Sequence, residues 1–119
     1  LWAVLRWYGA EGLRAHIRTG VAQATELARW VAADPDFVLH EPQTLGLVCF
    51  RPLWPGSDDP EKATLGLMES LNDSGALYLT HTKVAGHVVL RMALGGARTE
   101  EKHVRAAWEA IRVEYRRAR

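Results

Sequence analysis

The chain has 119 residues, of which 48% are hydrophobic and 24% are charged, and its formal net charge is +1. This length and composition predict one folded domain with one core and argue against a disordered chain. A net charge so close to zero gives no preference for nucleic acid or for an anionic membrane. Cys49 is the only cysteine, so an internal disulfide and a cysteine-based zinc site are excluded and a reducing, cytoplasmic setting is expected.

The first residues have the spacing of a helix but resemble neither a signal peptide nor a membrane span. No apolar run approaches the roughly 20 residues that a membrane helix needs, and no basic stretch leads into an apolar run and a cleavage site. No Ser, Thr, Asp or Asn precedes residues 1–8 to bind the free N–H groups of a first helical turn. We therefore expect the natural chain to continue upstream of Leu1.

A long second helix is predicted after Gly9, which is expected to break or kink the first one. Apolar residues with a helical period place this helix from about residue 10 to residue 33. It should end near Asp34, because the residue before a proline resists the α conformation. The predicted buried stripe comprises Leu13, Ile17, Val21, Ala24, Leu27 or Ala28, and Val31.

Two strands follow, predicted at residues 37–40 and 45–51 with a connection at 41–43. Alternation places Cys49 on the same face of the second strand as Leu45 and Leu47, and Val48 and Phe50 on the other. Cys49 is interpreted as a small core residue.

A loop is predicted at residues 52–59, and Asp58 or Asp59 is expected to cap a helix that has Pro60 in its first position. This helix is expected to end near Gly75. Its predicted inward side chains are Leu65, Met68 and Leu71.

The last third of the chain predicts a hairpin and a final helix. Strands at residues 76–82 and 87–94 are joined by a short connection at 83–86, so they should be antiparallel. Thr99 is expected to cap the last helix, whose predicted buried stripe is Val104, Ala107, Trp108, Ile111 and Tyr115. The order α-α-β-β-α-β-β-α predicts an α+β two-layer domain, with a four-stranded, mainly antiparallel sheet and helices packed on one face.

Arg91 is the most informative candidate for a functional side chain. Alternation along the last strand puts Val89, Arg91 and Ala93 on the face opposite the predicted core. Two small apolar neighbours are unusual on a solvated face, so we expect this face to be covered and the guanidinium to have an anionic partner. That partner is either a structural carboxylate or the carboxylate of a ligand, which a guanidinium binds with defined geometry. A surface arginine with its charge in solvent is the third interpretation.

The other polar residues predict no site. The five histidines show no metal-ligand spacing, although His81 and His87 flank the hairpin and are expected to be able to face each other across it. Lys83 lies at a strand end beside a turn, where a solvated amine is expected. By contrast, Trp2, Trp7 and Tyr8 crowd the first helix, and an aromatic patch exposed there would mark a docking surface.

Five segments in order carry a resemblance to a known family. They are residues 1–13 (LWAVLRWYGAEGL), 34–37 (DPDF), 45–51 (LGLVCFR), 89–93 (VLRMA) and the pattern RT, HV and AW within 98–108. With them the whole chain resembles the C-terminal small domain of the group II pyridoxal-phosphate-dependent amino-acid decarboxylases, and most of all the aromatic-L-amino-acid and tyrosine decarboxylases. The chain departs from the family pattern in the loop at 52–60 and at Gly95-Gly96.

The resemblance implies a parent enzyme that is a carboxy-lyase of an L-amino acid, with pyridoxal phosphate as cofactor and a homodimer as its assembly. It implies that residues 1–9 end an interdomain linker helix and that residues 10–119 form the C-terminal small domain. The covalent cofactor lysine would lie on a large domain outside this sequence. The chain alone would then be inactive, bind no cofactor or metal and hold no catalytic residue.

The resemblance carries over one site residue, because Arg91 stands where the family has an arginine that faces the substrate carboxylate. The alternative hypothesis, from a different class, is a stand-alone, non-catalytic α+β module that binds a small molecule or a protein.

Overall fold

The computed structural model describes residues 1–119, apart from the side chains of residues 41 and 42. Within it the elements are α1 (Trp2–Ala33), β1 (Phe37–Thr44), β2 (Leu47–Pro52), α2 (Pro60–Asp73), β3 (Thr80–Val84), β4 (His87–Ala93) and α3 (Glu101–Ala118). The strands form one four-stranded sheet in the order β1-β2-β4-β3, and all neighbours are antiparallel. The predicted α+β class and the four-stranded sheet are confirmed.

The core lies between one face of the sheet and the helices, and we call this the helix-side face. It is built by alternate residues of each strand. Along β2 the buried positions are Val48, Phe50 and Pro52, while the intervening residues are partly exposed. On β4 the predicted core set is confirmed, since Val88, Leu90, Met92 and Leu94 are all buried.

Aromatic rings hold α3 against β1 and β2. Phe37 lies 4.9 Å from Trp108 and 5.1 Å from Tyr115 between ring centroids, and Phe50 lies 5.9 Å from Trp108 with the rings nearly perpendicular. Such edge-to-face pairs add to the burial of the rings themselves. The Tyr115 hydroxyl donates a hydrogen bond to the Leu53 carbonyl. The one polar group of this aromatic cluster therefore has a hydrogen-bond partner.

The kink predicted at Gly9 is confirmed, because Gly9 has φ 69° and ψ 172° within α1. The predicted stripe holds in the C-terminal half of the helix, where Ala24, Leu27, Ala28 and Val31 are buried. It is wrong at Ile17, which is 59% exposed. The buried residues of α1 begin only at Gly20, so the N-terminal half of the helix contributes none of its side chains to the core.

Strand boundaries differ from the prediction in two places. β1 continues through the connection expected at residues 41–43, with irregular pairing between His40 and Thr44, and Leu45 (φ 53°) makes the turn before β2. β3 begins at Thr80 instead of residue 76. The amide side chain of Asn72 bonds both the N–H and the carbonyl of Leu79, at 2.7 and 2.9 Å, so these backbone groups pair with α2 and not with a strand.

The helix caps are predicted correctly for α2 and wrongly for α3. Asp59 Oδ1 accepts a hydrogen bond from the Lys62 N–H at 3.0 Å, and Pro60 begins the helix. For α3 the capping residue is Glu100, not Thr99. Glu100 forms a capping box with His103, whose Nδ1 accepts from the Glu100 N–H at 3.0 Å. A reciprocal pair satisfies two free donors where a threonine would satisfy one.

Candidate functional site

The face of the sheet opposite the core, here called the open face, carries the candidate residue. One row of the register crosses all four strands and contains His40, Cys49, Arg91 and Thr80 in that order. Residues paired in this way point to the same side of a sheet. Arg91 thus lies inside the row, between Cys49 and Thr80, with its side chain partly exposed.

The open face of β4 is as predicted, with Val89, Arg91 and Ala93 turned away from the core. Val89 is 0% exposed although it lies on this face. Arg91 forms no hydrogen bond or ion pair with the side chains that the structure describes. The guanidinium is therefore positioned by a strand within the sheet and remains available to an anion.

Cys49 belongs to this row, so its interpretation as a core residue is wrong. The residue is partly exposed and is paired across the sheet with His40 on one side and Arg91 on the other. Alternation along β2 separated the two faces correctly, but the helices cover the face of Val48 and Phe50 and not that of Cys49.

A second arginine on the open face has an unsatisfied group. Arg51 pairs with Val38 of β1, and its Nε is buried with no hydrogen-bond partner among the described residues. His40 Nε2 is in the same condition. Burial lowers the pKa of His40 below its usual value of 6.5, and the charges of Arg51 and His87 lower it further, so His40 is neutral at pH 7.

A carboxylate from α2 is bonded to β4 at this end of the sheet. Glu61, in the first turn of α2, accepts a hydrogen bond from the Val88 N–H through one oxygen, and its other oxygen is 3.2 Å from His87 Nδ1. The bond from Val88 lowers the pKa of Glu61 below 4.5, burial opposes this, and the interactions with His87 and the charge of Arg51 lower it further. Glu61 therefore supplies a hydrogen-bond acceptor for the backbone at the start of β4.

The remaining candidates do not join this site. His81 pairs with Leu90 and His87 with Val84, three residues apart along β4, so the two histidines lie on opposite faces and the expectation that they face each other is wrong. Among the described side chains no group of three or more His, Cys, Asp or Glu residues is placed to hold a metal. No helix in the described residues is long and apolar enough to cross a membrane.

The lysines do not fit a covalent cofactor site. All three, Lys62, Lys83 and Lys102, are exposed, and Lys102 Nζ is 3.6 Å from Glu100. A lysine that reacts with a carbonyl needs a buried setting that lowers its pKa. None of the three has the buried setting of such a lysine.

The aromatic side chains of the first helical segment are exposed. Trp2 is 75% exposed, Trp7 84% and Tyr8 45%. The exposed patch considered in the sequence is thus present in the structure, on the far side of Gly9 from the rest of α1.

Sequence reasoning missed Arg51 and His40. The pattern in β2 did contain the information for Arg51. Alternation places Arg51 on the same face of the strand as Leu47 and Cys49, and the bulky Val48 and Phe50 occupy the other face. Assigning that bulky set to the core would have placed Arg51 beside Cys49 on the open face. His40 carried no such signal, because β1 is too irregular after it for parity to be read.

Comparison with known proteins identifies the family. Residues 1–52 match the family described as pyridoxal-dependent decarboxylase conserved domain. A phenylacetaldehyde synthase of Arabidopsis thaliana is 43% identical over 117 residues, which are 96% of this chain and 24% of that protein. The crystal structure of Catharanthus roseus tryptophan decarboxylase in complex with L-tryptophan superimposes with a TM-score of 0.90 at 39% identity, over 99% of this chain and 25% of that one.

These matches support the chain as a fragment of a group II pyridoxal-phosphate-dependent decarboxylase. The crystal structure of Oryza sativa TDC with PLP and tryptamine agrees with this, with a TM-score of 0.89 at 39% identity over 98% of this chain and 26% of that one. The resemblance of the five segments is thereby confirmed. The chain spans about a quarter of the length of these decarboxylase-family relatives.

Proposed function

We propose that residues 1–119 are the C-terminal small domain of a pyridoxal-phosphate-dependent L-amino-acid decarboxylase, in which Arg91 binds the substrate carboxylate. The observation that carries the proposal is the position of Arg91 within the row on the open face, partly exposed and without an ion-pair partner among the described side chains. A guanidinium held on a strand offers two parallel donors to a carboxylate with fixed geometry. An L-amino acid supplies such a carboxylate.

The proposal divides the parent enzyme into parts. Residues 1–9 end the linker helix from a large domain, and residues 10–119 form the small domain. The exposed aromatic residues before Gly9 would contact that large domain or a second subunit of a homodimer. Pyridoxal phosphate, when bound by the large domain, supplies the electron sink for loss of the carboxylate. The chain alone has no catalytic residue and is inactive, and the enzyme is cytoplasmic.

This chain's own contribution is to bind and orient. Arg91 holds the carboxylate of the substrate, and its neighbours in the row, Cys49 and Thr80, border the position that the carboxylate occupies. The apolar positions of the face exclude water from the ion pair, which strengthens it. Aromatic L-amino acids are the favoured substrates, because one similar solved structure is a tryptophan decarboxylase in complex with L-tryptophan.

The test uses the full-length enzyme and the substitution Arg91→Met. Loss of a charge-assisted hydrogen bond costs about 1.5–3 kcal/mol, so kcat/KM for L-tryptophan or L-tyrosine should fall by about 10- to 150-fold. The visible absorption of the bound cofactor should be unchanged. Arg29→Met, on an exposed arginine of α1 that pairs with Glu26, is the matched control and should leave both measurements unchanged.

Two results would contradict the proposal. Unchanged kinetics in Arg91→Met would remove Arg91 from the site. A visible absorption band formed by residues 1–119 alone with pyridoxal phosphate would show that the chain itself holds the cofactor. Both the amine and the aldehyde product should be measured, because one similar protein is named an aldehyde synthase.

A further inference from the structure

We infer that α1 positions Arg91 for its substrate, because the side chains of His16 and Gln23 hold the connection between β4 and α3. This β4–α3 connection comprises residues 94–100. The inference rests on the proposed function, since it takes Arg91 as the residue that binds the substrate carboxylate. It adds two positioning residues, which lie on another element and act on Arg91 through the backbone.

Arg91 lies close to the end of the paired part of β4. On the side of β3 the register ends at the pair of Thr80 and Arg91. On the side of β2 it continues to the pair of Leu47 and Ala93. Beyond Arg91 the strand therefore has a neighbour on one side only, and the residues that follow it help to determine where this end of the strand lies.

Two side chains of α1 donate hydrogen bonds to the backbone of the β4–α3 connection. His16 Nε2 is 3.0 Å from the carbonyl oxygen of Gly95. Because a carbonyl oxygen can only accept, Nε2 carries the proton in this contact. Gln23 Nε2 donates to the carbonyl oxygen of Thr99 at 3.1 Å. Both ends of the connection are thus bonded to the same helix.

The two donors share one face of α1 with a glycine. His16, Gly20 and Gln23 are spaced four and three residues apart, which places them on one side of a helix. Gly20 is buried, and a Cβ added to it would lie 3.0 Å from the carbonyl oxygen of Leu94. Glycine is unfavourable in the interior of a helix, and at this position it permits the close approach of α1 to the backbone that follows β4.

Leu94 links this contact to the strand that carries Arg91. Its side chain is buried, and its N–H donates to the carbonyl oxygen of Gly46 at 2.6 Å. Leu94 is therefore held between α1 and the turn before β2, three residues after Arg91. A displacement of Leu94 would move this end of β4, and the paired contact of a guanidinium with a carboxylate tolerates little displacement.

The sequence of the β4–α3 connection explains why it needs these bonds. The connection lies outside the helices and strands, and its residues Gly95 and Gly96 are exposed. Glycine has more backbone freedom than any other residue, so two in succession lose much conformational entropy when they are ordered. The donors on α1 supply the order that regular secondary structure does not supply here.

The first test removes both donors from the full-length enzyme by combining His16→Leu with Gln23→Met, which keeps side chains of similar size. We expect kcat/KM for L-tryptophan or L-tyrosine to fall by about tenfold, with the visible absorption of the bound cofactor unchanged. Amide hydrogen exchange in the peptide that contains residues 94–100 should become faster by about tenfold or more, because exchange follows local opening. Arg29→Met, on an exposed arginine of the same helix, should change none of these measurements.

A double-mutant cycle with Arg91→Met separates positioning from a general structural role. Without the guanidinium there is nothing left to position, so the two α1 substitutions should cause no further loss of kcat/KM in Arg91→Met. A merely structural role would lower kcat/KM by the same factor in both backgrounds.

Two single variants complete the test. His16→Gln retains a donor for the Gly95 carbonyl, so it should keep most of the kcat/KM that His16→Leu loses. Gln23→Met alone serves if the doubly substituted α1 does not fold, and a smaller loss of kcat/KM is then expected.

Three results would overturn the inference. They are an unchanged kcat/KM after removal of both donors, an unchanged exchange rate at residues 94–100, and an equal loss in the native and Arg91→Met backgrounds. If Arg91→Met alone lowers kcat/KM, each of these results leaves the proposed function standing. If Arg91→Met alone has the native kcat/KM, the proposed function fails, and the positioning of Arg91 fails with it even where exchange at residues 94–100 is faster.

Discussion

The two faces of the sheet are made by the same strands and differ in what they leave unsatisfied. On the helix-side face Val48, Phe50 and Leu90 are each 0% exposed, and their neighbours are other core residues. On the open face the corresponding positions of β2 and β4 hold Cys49, Arg51 and Arg91, with a buried donor that has no partner among the described residues. On one face the buried groups are apolar and packed together, and on the other a buried donor has no partner among the described residues.

The comparison indicates that the helix-side face mainly determines the stability of the domain and that the open face mainly determines its binding. Substitutions on the helix-side face should reduce the free energy of unfolding, because they remove buried apolar contacts. Substitutions of the partly exposed side chains on the open face should mainly change binding, because such side chains contribute little to folding. The predictions below test this division, beginning with the largest effect.

The largest difference is expected between Phe50→Ala and Leu47→Ala, which lie on opposite faces of β2. Phe50 is fully buried among Phe37 and Trp108, so its truncation should lower the free energy of unfolding by about 3–5 kcal/mol. Leu47 is partly exposed on the open face, and its truncation should cost less than about 1.5 kcal/mol. Urea unfolding of both variants measures the difference, and equal losses would contradict the division of the faces.

A smaller effect is expected where the backbone of the sheet comes closest to a neighbour. A Cβ added to Gly46 would lie 2.4 Å from the Leu94 carbonyl oxygen, and the Gly46 carbonyl accepts from the Leu94 N–H at 2.6 Å. Gly46→Ala should therefore cost about 1–3 kcal/mol of stability through strain.

Gly66→Ala is the matched control for this substitution. Gly66 lies in α2 with nothing within 4 Å of the added Cβ, so the change should stabilise the domain by up to about 1 kcal/mol through helix propensity. Thermal unfolding measures both effects. If both substitutions lower the melting temperature, crowding against Leu94 is not the cause of the loss of stability in Gly46→Ala.

The smallest effect is expected from pH. The pKa of His40 is lowered from 6.5 by burial and by neighbouring charges, so in this range the unfolded chain binds more protons than the folded one. The stability that depends on a neutral His40 is fully present above pH 6.5, and it is lost as the pH falls through the pKa of His40 in the folded protein. His40→Gln should remove this dependence from urea midpoints measured between pH 7.5 and 5.

The acid-induced loss of stability that remains in His40→Gln should begin at a more acidic pH than in the native protein. The pKa of Glu61 is lowered from 4.5, chiefly by the hydrogen bond from Val88, so its contribution is present above pH 4.5 and is lost below it. Removal of the acid sensitivity below pH 4.5 by Glu61→Gln would confirm that assignment. An unchanged pH dependence between 7.5 and 5 in His40→Gln would show that another group titrates there.

Much of the fold was predictable because local chemistry and packing agree. The order of elements, the kink at Gly9, the Asp59 cap and the core face of β4 all follow from residues whose preferences match their surroundings. Alternation left Arg91 open among three interpretations, the family resemblance favours the substrate carboxylate, and that role stays a prediction.

The errors share a cause, which is that a pattern along the chain does not show what lies across from it. Alternation in β2 separated two faces but did not indicate which one the helices cover, and Cys49 was placed in the core for that reason. Periodicity in α1 marked Ile17 as buried, although the part of the helix that packs on the core begins only at Gly20. The start of β3 was set by Asn72, seven residues before Leu79, a contact that strand propensity does not contain.

The row across the open face has a consequence for how such a domain diverges. Each of the four strands contributes one of its residues, and none of them belongs to the core cluster. Substitutions at His40, Cys49 and Thr80 should therefore leave the packing of the core cluster unchanged, while β4 holds Arg91 in position. The surroundings of this positive charge can be altered one strand at a time without redesigning the core.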